Sequence, residues 1–281
     1  MSSSAPLPRI HDAASIGAAS TRDVALAELA ERASQSDVVL IGELHDHPVG
    51  LPWAARFFDA LAERSFAAAP PRKPALAMEF LERDQQPTVD ELCRGALDEA
   101  GFLARTKLRE EPWRLGHGLM VQSARRLGLP VIAANAPRAY TKLARTEGYD
   151  ALRALPEAER ALFAVPEPLP GGRYRDGFAA MMGEHEGMSP EKIASYFDAQ
   201  AVWDATMADS VVRALHAGRA PVVLVVGRFH VDHQGGVVQL LRRARPEARL
   251  LVVSMIESIE ELDRERADVL VEVGPAPERA H

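Results

Sequence analysis

The sequence predicts an α/β fold, a mainly parallel central sheet with helices on both faces and a helical insertion. Two observations carry that expectation. Five short, β-branched apolar runs are uninterrupted by polar residues, as in strands buried on both faces. Helical patterns separate them, and strands alternating with helices build parallel sheets covered on both sides.

The first run is DVVLI, Asp37 to Ile41, followed by a helical pattern from Pro52 to Arg64. The second, ALAM from Ala75 to Met78, precedes helical stretches at Val89 to Leu97 and Gly118 to Leu127. VIAA, Val131 to Ala134, leads into a helix over Pro137 to Thr146. From Glu147 to Ala220 no strong strand occurs, while Pro156, Pro166, Pro168, Pro170, Gly171 and Gly172 divide helical segments, so a helical insertion is expected at about 147–220. Its longest helix should start with Ser189 as N-cap and Pro190 in the first turn, then run through Tyr196 and Trp203 toward Leu215. Ile193, Phe197, Val202, Met207 and Val211 recur there at helical spacing and should face the sheet. The last two runs are VVLVV, Val222 to Val226, followed by a helix over Gly235 to Ala244, and LLVVSM, Leu250 to Met255.

Length and composition bound the function. The 281 residues are 47% hydrophobic and 26% charged, which excludes a disordered, collagen-like or disulfide-framework chain. Forty acidic against 33 basic residues give a net charge of −7, which disfavours nucleic acid and anionic membrane as partners. No run reaches the ~18 apolar residues of a membrane span. The one cysteine, Cys93, reads as a small buried residue on the helix after Val89. The start, MSSSAPLPRIHDAAS, has neither the apolar nor the charged region of a secretory signal. A cytoplasmic location is expected for the sequence as it stands, and an exported one where a native signal peptide has been removed.

The chemistry gathers at strand ends. VVLIGELHDH, Val38 to His47, resembles VLVVGRFHVDH, Val223 to His233, and in each a buried strand reaches a glycine with a histidine three residues on. These are Gly42 with His45 and Gly227 with His230, and the end of ALAMEF sets Glu79 at the same level. Ligands of open α/β sheets bind outside the carboxyl ends of the strands. Glu43, His45, Asp46, His47, Glu79, His230, Asp232 and His233 are all delivered there. Imidazoles with carboxylates suit zinc, manganese or iron and equally suit acid–base catalysis. His45, Glu79, His230 and His233 form the candidate metal set, and Glu43, His45 and Glu79 the candidate catalytic set. The glycines alone could serve a tight turn instead. Both motifs form one site only if the two halves share one sheet, so a single domain over 1–281 is expected.

Rival chemistries lack their signatures. There is no Gly-x-Ser-x-Gly elbow and no Walker A loop, and Gly116-His117-Gly118 does not open a full Gly-x-Gly-x-x-Gly. Ser254, inside the last run, reads as strand packing.

Five blocks in order, GELHDHPVG, MEFLERDQQP, GLPVIAANAPR, QAVWDATMADS and VVGRFHVDHQGG, resemble the ChaN-like haem-binding uptake family across about Ile10 to Met255. The resemblance implies an erythromycin-esterase/ChaN-like fold. It also implies haem as cofactor in iron uptake, often in exported lipoproteins and in homodimers holding paired haems. The related Tiki proteins imply a metal-dependent peptidase using His45, His230 and Glu79, and the erythromycin-esterase-like proteins imply water activation by His45, Glu43 and Glu79. No lipobox cysteine matches, since the only cysteine is at position 93.

Haem iron accepts histidine or tyrosine, so Tyr140, Tyr149, Tyr174, Tyr196, His117 and His185 are eligible ligands. Tyr140 and His185, with Arg138, make the candidate cofactor set. Met181, Met182 and His185 should share adjoining turns of a helix, able either to line a porphyrin or simply to pack. Arg138 and Asn135 could hold a propionate, and Asp204 could orient a histidine. For Arg138 and Asp204 an ion pair or helix cap is the structural alternative. Three readings stand: a haem-binding protein, a metal-dependent hydrolase acting on a small-molecule or peptide substrate, and a binding domain without chemistry.

Overall fold

The structure, a computed structural model, describes residues 8–16 and 24–276. Residues 1–7, on which the reading of the start rests in part, lie outside the described residues. The chain runs β1 (Arg9–Asp12), α1 (Leu26–Ser34), β2 (Val38–Glu43), α2 (Gly50–Ala67), β3 (Ala75–Glu82), α3 (Gln86–Arg94), α4 (Glu99–Thr106) and α5 (Glu110–Pro112). A π-turn (Trp113–His117) leads to α6 (Gly118–Arg126) and β4 (Val131–Asn135). Then come α7 (Arg138–Glu147), α8 (Tyr149–Arg153), α9 (Glu157–Arg160), α10 (Arg173–Gly183) and α11 (Pro190–His216). β5 (Val222–Gly227), α12 (Gly236–Ala244), β6 (Leu250–Ile256) and β7 (Val269–Glu272) complete it.

Seven strands form one sheet in the order β1-β7-β6-β2-β5-β3-β4, parallel throughout except for the β1–β7 pair. All five expected strands are present. β1 and β7 are additional: each has four residues, and β1 (RIHD), at the sheet edge, has one apolar residue among polar ones, too little pattern to read as a strand.

Alternation along the central strands explains the two layers. In β2, Val39 and Ile41 join one buried cluster with α1, α2, α3 and α6, while Val38 and Leu40 join a second with α11 and α12. In β5, Val223 and Val225 face the first cluster, and Val222, Leu224 and Val226 the second. Val38 to Ile41 and Val222 to Val226 are therefore all apolar, each burial contributing about 1.5–3 kcal/mol for a residue the size of Val or Leu. The sheet needs both faces covered, and that need produces the uninterrupted runs.

The 27-residue helix α11 starts where its sequence says, with the Ser189 hydroxyl accepting from the Lys192 amide and Pro190 in the first turn. Phe197, Val202, Met207 and Val211 are buried along it, and Ile193 is half-buried. α10 is shorter than expected. It ends at Gly183, so His185 falls beyond it in an exposed turn and does not share a helix face with Met181 and Met182. Cys93 lies on α3 but is only half-buried, and burial still raises its thiol pKa. No helix among the described residues is long and apolar enough to cross a membrane.

The chain order sets the site. From β2 it crosses by α2 to β3 and moves outward to β4, then returns through α11 to insert β5 between β2 and β3, and crosses by α12 to β6 on β2's other side. The direction of winding thus reverses around β2 and β5. Their carboxyl ends, Glu43 beside Gly227, open the crevice such sheets use for ligands.

Candidate functional site

The two Gly-x-x-His motifs meet because β2 and β5 are neighbours. Neither Gly42 nor Gly227 has a positive φ, so a tight turn is not the reason for either. A Cβ on Gly227 would stand 2.8 Å from His45 Cε1 and 2.9 Å from Nε2, and one on Gly42 would stand 2.7 Å from Val231 Cγ2. Each glycine makes room for the other motif.

Glu43, the last residue of β2, is buried at 1% exposure. Its Oε1 lies 3.1 Å from His45 Nδ1 and its Oε2 2.8 Å from Nε2 of His117. His45 is exposed, and its Nε2 has no hydrogen-bond partner among the described residues. The bond to Glu43 raises the pKa of His45 and outweighs desolvation, and the charge of Glu79 assists.

His230 is the opposite case. Buried at 6% exposure, it has Nδ1 2.6 Å from Asp204 Oδ1 and Nε2 3.4 Å from Glu79 Oε1. Both partners are carboxylates, so both ring nitrogens donate and the ring is an imidazolium. Burial alone would lower its pKa, but the charges of Asp204 and Glu79 push it up to about 10. Burial would likewise raise Glu79, yet His230 and the 2.6 Å hydrogen bond from the Gly227 amide bring it down to about 2. Fully buried Asp204, on α11, also accepts from Tyr174 Oη at 2.6 Å. A Cβ on Gly236 would strike Asp204 and the Tyr174 ring, so the carboxylate rests against the start of α12, where the helix dipole favours negative charge.

A cleft of about 330 Å³ opens over these groups, within the ~300–1,000 Å³ range of small-molecule sites. His45, Glu79 and His117 line it with Phe80, Trp113 and Trp203, and Lys107, Arg109 and Arg138 stand at it. Phe80 stacks on His117 with centroids 4.1 Å apart and meets His45 edge-on at 5.6 Å. Arg109 grips Asp46 with Nη2 at 2.5 and 2.6 Å from the two carboxylate oxygens.

Of the expected residues, Glu43, His45, Glu79 and His230 come together and Arg138 reaches the same cleft, its side chain 88% exposed and 3.7 Å from Glu82. Others lie elsewhere. His233 turns away to Asp263, 2.8 Å from its Nε2, in a separate depression with Arg173 and Arg264. With His233 diverted and both nitrogens of His230 held by carboxylates, the expected metal set is not assembled. Among the described residues no group of three His, Cys, Asp or Glu is arranged to hold a metal ion.

Tyr140 donates to Glu159 and packs on Phe163, and His185 is exposed away from the cleft, so neither is a cleft residue. Tyr149 donates to the Asp198 carbonyl, Tyr196 lies exposed under Arg145, and no tyrosine lines the cleft. His47 caps α2: its Nδ1 accepts from the Gly50 amide at 3.1 Å and its Nε2 lies 3.0 Å from the Gly274 carbonyl. Asp232 binds Ser254 and Arg266. Sequence reasoning missed Phe80, Lys107, Arg109 and Trp113 as cleft walls, and missed the bond from His117 to Glu43. The glycines flanking His117 were the available signal.

The family described as haem-binding uptake, Tiki superfamily, ChaN matches residues 29–241. The chain belongs to this ChaN family. A solved structure of ChaN of Campylobacter jejuni, whose description is cofacial haem binding, is similar at a TM-score of 0.70 with 15% identity, covering 95% of this chain and 97% of that one. The type III effector HopBA1 is similar at a TM-score of 0.50 with 14% identity, covering 90% and 94%. These likenesses place the ChaN member's α/β fold. No curated protein matches in sequence.

Proposed function

We propose that this ChaN-family chain binds haem at the strand-end cleft and serves haem or iron handling. The observation that carries the reading is the state of His45: its ring lines the cleft, its Nδ1 is held by buried Glu43, and its Nε2 has no hydrogen-bond partner among the described residues. A histidine whose other ring nitrogen donates to a carboxylate would be a well-oriented ligand for haem iron. The surroundings fit the group. Phe80, Trp113 and Trp203 offer aromatic walls to a macrocycle, and Lys107, Arg109 and Arg138 offer cations to its propionates. Bound haem would supply redox-active iron, and the chain's own residues orient it and match its charge.

The cleft opens to solvent, so bound haem would remain accessible to a second copy of the chain. A homodimer with facing haems is consistent with that. Haem titration of the purified protein tests the reading. A Soret shift saturating at one equivalent is expected, and no shift at stoichiometric haem overturns it.

A second reading, hydrolysis of a small-molecule or peptide bond at the same cleft, is favoured by the Glu43–His45 pair, whose Nε2 could take a proton from water beside Glu79. Turnover of ester and peptide substrates, lost in Glu79→Gln and without haem, would establish it in place of the first.

A further inference from the structure

The β2 end holds a histidine that the double motif does not foretell. His117 closes the π-turn Trp113–His117 and is 4% exposed. It bonds the oxygen of Glu43 that His45 does not use. A carboxylate only accepts, so each imidazole aims an N–H at it. For His45 that places the proton on Nδ1 and leaves the lone pair on Nε2, the nitrogen on the cleft side.

The surroundings hold His117 in place. Phe80 stacks on its ring at an interplanar angle of 26°. A Cβ on Gly116 would run into the Leu51 backbone, and one on Gly118 would stand 2.6 Å from Trp113 Nε1. Glycine is therefore required on both sides for the wide turn to lie against α2 and fold back on Trp113. π-turns of this kind recur at functional sites. Without His117, buried Glu43 would keep one partner, an exposed side chain, and would have no second anchor against rotation.

We propose that His117 is a positioning residue: it locks Glu43, and Glu43 holds His45 in the Nδ1–H form with Nε2 presented to the cleft. The consequence for haem rests on the haem-binding reading, while the tautomer itself stands on the geometry alone.

The test uses the full chain labelled with ¹⁵N-histidine. Long-range ¹H–¹⁵N spectra at alkaline pH, where His45 is neutral, report its tautomer in the wild type, His117→Phe, His117→Gln and Glu43→Gln. The wild type should show Nδ1–H. His117→Phe should show a mixture, and His117→Gln, which keeps a donor, should restore much of the wild-type signal. Haem affinity should fall about 10- to 100-fold in His117→Phe and in Glu43→Gln, with no further fall when the two are combined, because both act through one carboxylate. An unchanged Nδ1–H signal in His117→Phe overturns the proposal. If His117→Phe does not fold, His117→Gln decides: a wild-type tautomer there supports the donor role, and a mixed one overturns it. If the wild type binds no haem, the haem reading falls and the tautomer comparison still decides this one.

Discussion

Two stretches with the same Gly-x-x-His pattern, Gly42 to His45 and Gly227 to His230, end adjacent strands and meet opposite fates. His45 keeps one carboxylate partner and lines the cleft with its Nε2 unbonded among the described residues, while His230 is sealed between Asp204 and Glu79 as a cation. The difference lies outside both motifs. Over β5 lies α11, which brings Asp204 to His230, and Gln200, which donates to Tyr174 Oη. Over β2 the chain leaves a gap instead. A strand-end histidine stays exposed or becomes a fixed charge according to the element that covers it.

The largest expected effect breaks the buried side. His230→Ala leaves Asp204 buried beside an unpaired Glu79 and should cost about 3–5 kcal/mol of stability, read from urea unfolding. A cost near zero would mean that His230 is not the charged partner described.

The glycines sharpen the contrast at about 1–3 kcal/mol, the usual range for overpacking. In Gly42→Ala the new methyl meets Val231 and the Arg228 backbone, so stability should fall. In Gly227→Ala its close contacts are with the end of the His45 side chain, which can swing aside, and Glu79 Oε2 stands at an ordinary 3.6 Å, so haem binding should fall with the melting temperature nearly unchanged. The reverse pattern would contradict the assignment of the two sides.

The pH dependence also separates the motifs. The pKa of His230 is raised to about 10 from 6.5, so its contribution to stability is fully present below 6.5 and is lost as pH rises through about 10. Unfolding measured from pH 7 to 10 should show that decline, and it should flatten in His230→Gln. The smallest effect is expected at His47, whose loss as the α2 cap should cost about 1 kcal/mol and leave haem affinity unchanged.

These contrasts also mark how far the sequence could be read. The parallel sheet was legible because burial on both faces forces apolar runs such as VVLIG and VLVVG, and the α11 start was legible in Ser189-Pro190. Glu43, His45, Glu79 and His230 could be grouped because all stand at strand ends. His233 could not be separated from His230 by spacing, since the positive φ of His233 and Gln234 turns its ring toward Asp263. Nor could His47 be read as turned inward from the site, because the carbonyl that holds its Nε2, that of Gly274, is far along the chain. His117 depends on a contact spanning 74 positions to Glu43, which local pattern does not carry.

The central claim is that His45, and not its counterpart His230, offers the free nitrogen. Haem titration of His45→Ala beside the wild type tests it most directly, with unfolding measured to show both intact. The account predicts a one-equivalent Soret shift in the wild type and its loss in His45→Ala. An undiminished shift in His45→Ala would contradict it.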